Sequence, residues 1–397
     1  MNIPSRTLIL LDVDGVLVHP AGYKTALRTL VNRLAARLGQ PPLGPTEDEI
    51  AVFEACGLTN EWDSGAMCVG ALLLAALERA PALRRDTLEA TFDAIGAAGL
   101  VLARPDFTAE ARAIARHETD GRYPAVRYLE LLSARTDPAN LPLLRALLGN
   151  VYAVRETLTT RAFQTLALGS ARFSATYNQP AAFACESYLA TYDIALLNAP
   201  TRERLLGWAS LPGHGATIFT ARPSGPPADL PPGEPSGDPP SGFPPEAELA
   251  VELVGLAGKL PLIGQGRVGW LAWRNGRAAA DYLKPSPVQA LTAMGAALTG
   301  VETDALHAAA ALVEHGEISG PLTGLREGST RVIVCEDAAG GIRAVRGAAS
   351  LLQRAGLEVS VVGVGVSPNA DKRAALSAVA DHLVDDVNEG LALVLDG

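Results

Sequence analysis

Four consecutive aliphatic residues, Leu8 to Leu11, run straight into Asp12-Val13-Asp14-Gly15, and no other feature narrows the folds open to this chain as sharply. A continuous apolar run bounded by Gly reads as a strand buried on both faces, the kind found in parallel sheets. Two carboxylates at the carboxyl end of such a strand are costly to bury unless a cation lies beside them. Residues two apart on a strand point the same way, so Asp12 and Asp14 can serve one site, while Gly15 lets the chain turn away. That end of an open α/β sheet is also where ligands bind. Taken alone, an ordinary strand end with an Asp-Gly turn accounts for the run equally well.

Three later segments change that balance. Ala216-Thr217-Ile218-Phe219-Thr220-Ala221-Arg222 is a short β-prone run ending in a hydroxyl. Tyr282-Leu283-Lys284-Pro285-Ser286-Pro287 sets a Lys before Pro-x-Pro. Val332-Ile333-Val334-Cys335-Glu336-Asp337 is an apolar strand closed by two acids and followed by Gly340-Gly341. In type and order these four segments resemble the motifs of the haloacid dehalogenase (HAD) superfamily of phosphatases, mutases and related hydrolases.

The resemblance implies a Rossmann-like parallel-sheet α/β core with a large inserted α-helical cap. It implies Asp12 as nucleophile and Asp14 as general acid and base, and a phosphate held by the Thr220 hydroxyl, the Ala221 amide and Lys284. Mg²⁺ would be bound by Asp12, Asp337 and the Asp14 carbonyl, with Glu336 as a weaker ligand candidate. Arg222 could reach the phosphate, or sit as a solvated side chain just past a strand end. Asp14 separates this chain from the branch that cleaves carbon–halogen bonds, and no Lys-Thr-Gly-Thr follows Asp12 as in the ion pumps. The expected activity is hydrolysis of a small phosphorylated metabolite. A phosphosugar mutase and a non-catalytic binding or regulatory protein are the alternatives.

The chemistry gives those residue types a reason to occur together. A carboxylate approaching a phosphate dianion meets roughly 4 kcal/mol of repulsion per pair of unit charges at 4 Å and an effective dielectric of about 20. A hard divalent cation on oxygen ligands, with a Lys as a further positive charge, offsets it.

The remaining sequence bounds this reading. With 397 residues the chain exceeds one comfortable core, and 48% apolar residues can fill two. A net charge of −10 argues against broad binding to nucleic acid or anionic membrane. Cys56, Cys68, Cys185 and Cys335 have neither metal-site spacing nor disulfide density, and the six histidines do not cluster. The apolar run at the N-terminus is too short for a signal peptide, and no stretch approaches the ~20 apolar residues of a membrane span. The expectation is a cytoplasmic protein.

Residues 20–211 are rich in Ala, Leu and Arg at helical spacing and are assigned to an inserted helical domain, with helices over Tyr23 to Leu38, Ala71 to Ala80, Thr87 to Ala98, Thr108 to Arg116 and Leu141 to Leu148. Residues 1–19 and 212–397 form the α/β core, interrupted by a Pro/Gly/Ser-rich loop over 223–245 that reads as flexible. Within the insertion, Asn60, Glu61, Trp62 and Asp63 suit either a polar leaving group or a helix N-cap with a buried Trp. Lys24 could enter the site or lie on a helix surface. These five are the candidate specificity residues. The string Gly264-Gln265-Gly266-Arg267-Val268-Gly269 fits a dinucleotide fingerprint, but without a recognisable helix start or a distal acid it reads as a β-hairpin turn.

Overall fold

The computed structural model describes residues 5–117, 121–231, 233–239 and 241–395. Its strands are β1 (Arg6–Leu11), β2 (Val18–His19), β3 (Ile194–Ala195), β4 (His214–Phe219), β5 (Leu262–Ile263), β6 (Thr330–Glu336), β7 (Val359–Val366) and β8 (His382–Val384). Six form a parallel sheet in the order β5-β4-β1-β6-β7-β8, the Rossmann-like class expected from the sequence. The chain runs outward from β1 to β4 and β5, then crosses back to β6, β7 and β8. Strand order therefore reverses beside β1, and an open α/β sheet leaves a ligand crevice at such a switch point.

Both faces of the sheet are covered, which explains the unbroken apolar runs. Leu8 and Leu10 of β1, with Val332 and Val334 of β6, face a core shared with helices Pro287–Thr299, Glu302–His315 and Ala339–Arg354. Ile9 and Leu11, with Ile333 and Cys335, face the opposite core, which contains Leu205, Ala250 and Leu391 from three other helices. The two-residue period of a strand sorts its side chains between these layers.

The chain divides into two compact units. The sheet-bearing unit comprises residues 1–20, 193–238 and 243–397, and the helical unit residues 21–192 with 239–242. Residues 193–211, allotted to the insertion on composition, belong to the sheet-bearing unit. β3 pairs with β2, and Leu205 of helix Ala199–Ala209 enters the core under β4.

Within the helical unit, helix Glu61–Arg79 is buried along most of its length. It packs against Ala21–Arg37, Pro124–Ser133, Leu141–Leu148 and Leu158–Leu168. The sequence reading recovered only its C-terminal half, because Glu61, Asp63 and Ser64 obscure the apolar pattern of the first turns. Among the described residues no helix is long and apolar enough to cross a membrane.

One local reading is corrected. Gly264-Gln265-Gly266 is a parallel-strand exit into helix Gln265–Arg274, not a hairpin turn. A Cβ on Gly266 would lie 1.9 Å from the Ser224 carbonyl oxygen, so glycine lets this helix start directly against the chain after β4. Among its described residues, which leave out Pro232 and Pro240, the Pro-rich segment has no helix or strand before Glu246–Leu253. Three of its residues bond neighbouring segments. The Asp229 carboxylate accepts from the Glu302 and Thr303 amides, Ala228 donates to Glu302, and the Trp270 indole donates to the Pro235 carbonyl.

Candidate active site

The carboxyl end of β1 supplies the first acids. The Asp12 amide donates to the Cys335 carbonyl of β6 at 3.1 Å, which fixes Asp12 at the carboxyl end of this central strand with its side chain buried. The chain then reverses, with the amides of Leu17 and Val18 both donating to the Val13 carbonyl. Gly15 takes a φ of +77°, and a Cβ there would lie 2.4 Å from the Asp337 carboxylate. Glycine is thus required twice, for a left-handed turn and for close passage beside an acid.

β4 is followed by Thr220, whose amide donates to the Ile263 carbonyl at 3.1 Å and whose hydroxyl accepts from the Arg222 amide at 3.1 Å. Ala221 is exposed at this turn. Gln289, fully buried, donates to the Thr220 carbonyl at 2.6 Å and to the Ile263 carbonyl at 3.0 Å, and accepts from the Lys284 amide at 3.2 Å. One side chain therefore registers the Thr220 turn against Lys284. Sequence reasoning missed it; its only signal is a lone amide near the start of an apolar helix.

The Lys284 side chain is only 10% exposed, with its ammonium 2.9 Å from Asp12 Oδ1, in contact with Glu336 and 4.2 Å from the centre of the Phe219 ring. Burial works against its charge, but the Asp12 and Glu336 carboxylates outweigh that and push its pKa up to about 12. It stays an ammonium at neutral pH.

Asp12, Glu336 and Asp337 each offer an oxygen to one point, with those atoms within 4.8 Å of one another. Burial first, and the Asp12 charge second, push Glu336 up to about 8 and Asp337 up to about 6. Such crowding of hard oxygen donors in a buried site fits a divalent cation. Lys372 pairs with Asp337 from helix Ala370–Leu376. A Cβ on Gly341 would lie 1.7 Å from Glu336 Oε1, so Gly341 lets helix Ala339–Arg354 close against the acid.

The Asp14 side chain stands outside that cluster and bonds Arg222. Arg222 is not the solvated side chain that its position past a strand end allows. It is fully buried between Asp14 and Asp193, neither pairing being visible in local sequence.

Asn60, Trp62, Asp63 and Lys24 have partners inside the helical unit. Asn60 caps helix Glu61–Arg79 by accepting from the Trp62 amide at 2.8 Å, and Glu61 opens the same helix. Trp62 is buried edge-on to Tyr152, with ring centres 5.3 Å apart. Asp63 is buried, accepts from the Ala125 amide at 2.7 Å and the Tyr152 hydroxyl at 2.9 Å, and has its pKa raised by burial. Lys24 pairs with Glu54 at 3.2 Å.

No family model and no curated protein matches this chain. Among solved structures, an X-ray structure of Northeast Structural Genomics Consortium target ZR25 aligns over 98% of both chains with a TM-score of 0.64 at 16% identity, a likeness of fold alone. Phosphatase Tt82 from Thermococcus thioreducens aligns over 98% of this chain and 99% of its own, at 14% identity and a TM-score of 0.45, too distant a likeness to bear on fold or activity.

Proposed function

We propose that the chain is a Mg²⁺-dependent phosphatase of HAD type, acting on a small phosphorylated metabolite through an aspartyl-phosphate. The observation that carries this reading is the convergence of Asp12, Lys284, Glu336 and Asp337 from separate segments at the strand ends. The motif resemblance, with Thr220 on the neighbouring strand end, supports it.

Asp12, Asp337 and the Asp14 carbonyl would hold Mg²⁺, with Glu336 already engaged by Lys284. When bound, the ion offsets the negative charge of phosphate and carboxylates and polarises phosphorus for attack. Lys284, the Thr220 hydroxyl and the Ala221 amide hold the phosphoryl oxygens. An Asp12 carboxylate oxygen forms a bond to phosphorus as the ester P–O bond breaks, and protonated Asp14 gives its proton to the departing oxygen. Asp14, now a carboxylate, takes a proton from water while the water oxygen bonds phosphorus. The Asp12–phosphorus bond then breaks, inorganic phosphate leaves, and both side chains return to their starting states.

The test is phosphate release from a panel of phosphorylated metabolites, with Mg²⁺ and with chelator, for the wild type and Asp12→Asn. Release that needs both the metal and Asp12 is the expected result. Release unaffected by Asp12→Asn would sink the mechanism, and an isomerised phosphosugar without free phosphate would replace hydrolysis by mutase chemistry.

A further inference from the structure

The buried Arg222 has no role in the steps above, yet it touches the residue that must move the proton. Its Nε lies 3.1 and 3.2 Å from the two Asp14 carboxylate oxygens, and its Nη2 lies 2.5 Å from Oδ1. Nη1 bonds Asp193 at 3.0 Å. The Arg222 side chain is 0% exposed and Asp193 1%, whereas Asp14 is 35% exposed. The backbone of Arg222 is held as well. Its amide donates to the Thr220 hydroxyl at 3.1 Å, and its carbonyl accepts from the Gln265 amide at 3.1 Å.

We infer that Arg222 is a positioning residue: it sets the orientation of the Asp14 carboxylate for proton transfer, with Asp193 as its anchor. The inference rests on the phosphatase reading. A guanidinium fork fixes the plane of the carboxylate it grips, which a point charge such as an ammonium does not. Asp14 is exposed enough to stay solvated without a partner, so the fork is not needed merely to neutralise it. Asp193, the first residue after the helical insertion, is fully buried and gives the guanidinium a second fixed contact. Because Nε, Nη1 and Nη2 all bond carboxylates, Arg222 is oriented towards the acid rather than towards phosphate. Its backbone contact with Thr220 ties the phosphate-binding turn to that acid.

The test uses the dependence on leaving group. An alkyl phosphate needs a proton on the departing oxygen, whereas p-nitrophenyl phosphate departs as a stable anion and hardly needs one. Arg222→Lys keeps the buried charge and loses the fork. First-turnover alkyl ester cleavage should fall by about a hundredfold or more, the range attributable to a positioned general acid. The first turnover of p-nitrophenyl phosphate should change far less, leaving a burst of nitrophenolate followed by slow turnover, because Asp14 must also activate water. Equal losses on both esters, or a raised KM with kcat intact, would overturn the inference while leaving the phosphatase reading standing. Wild-type protein without Asp12-dependent phosphate release would overturn both. If Arg222→Lys does not fold, Asp193→Asn removes the anchor's charge while leaving an oxygen acceptor, and the same ester contrast should appear in smaller measure.

Discussion

The two units of this protein bury polar groups in opposite ways. In the helical unit Gln40, Thr160 and Asp63 are satisfied by backbone groups or one hydroxyl: Gln40 bonds the Leu38 and Leu100 carbonyls and the Leu102 amide, Thr160 the Val151 carbonyl, and Asp63 the Ala125 amide and Tyr152. At the strand ends of the sheet-bearing unit, like charges are pressed together instead, with Asp12, Glu336 and Asp337 converging while Lys284 and Lys372 offset them in part. A satisfied polar group stabilises a fold, whereas a crowd of carboxylates costs stability and persists where a cation or substrate uses it. Burial alone does not mark a site; unbalanced burial does.

That contrast can be broken most directly at Asp12. Asp12→Asn should lower phosphate release by at least about three orders of magnitude while leaving the thermal midpoint unchanged or raised, because one charge leaves the crowd. A fall in both would place Asp12 among the structural residues. Lys284→Met removes the countercharge that Asp12 and Glu336 share. It should cost about 3–5 kcal/mol in urea unfolding of the metal-free protein, and unfolding at wild-type denaturant concentration would show the carboxylates to be neutralised without it.

Acidity sharpens the comparison. Glu336 and Asp337 have folded-state pKa values pushed above their ordinary values, to about 8 and about 6, so the native protein holds protons that the unfolded chain has released. Unfolding then releases protons, and the metal-free protein should lose stability as pH rises from about 4 to about 8. Mg²⁺ should raise the thermal midpoint most at the upper end of that window, where the carboxylates are free to bind it. Thermal midpoints across pH, with chelator and with Mg²⁺, read this directly; a Mg²⁺ effect independent of pH would separate the ion from this cluster. The smallest effect is expected in the helical unit. Gln40→Ala breaks bonds to three backbone groups and should cost about 1–3 kcal/mol, with kcat and KM unaltered, so a change in either constant would give a buried amide there a functional part.

Local pattern carried the sequence reading a long way. Continuous apolar runs marked β1 and β6, and acids or a hydroxyl at strand ends marked Asp12, Thr220, Glu336 and Asp337, because a strand's ends and its two-residue period are written in adjacent residues. The Pro-x-Pro sequel singled out Lys284, which the fold places 2.9 Å from Asp12. In the helical unit, Leu141–Leu148 matched its expected bounds, since apolar spacing alone defines an amphipathic helix.

The sequence by itself therefore determined several of the strands and helices, β1, β6 and Leu141–Leu148 among them, and singled out the strand ends that the proposed chemistry would use. Only the tertiary structure decided that Arg222 is buried against Asp14 and Asp193, that Gln289 registers Thr220 against Lys284, and that residues 193–211 belong to the sheet-bearing unit. The physical reason is reach. Periodicity and turn chemistry act over a few residues, whereas the partner that balances a buried charge is chosen by packing, 208 positions away in the case of Arg222 and Asp14.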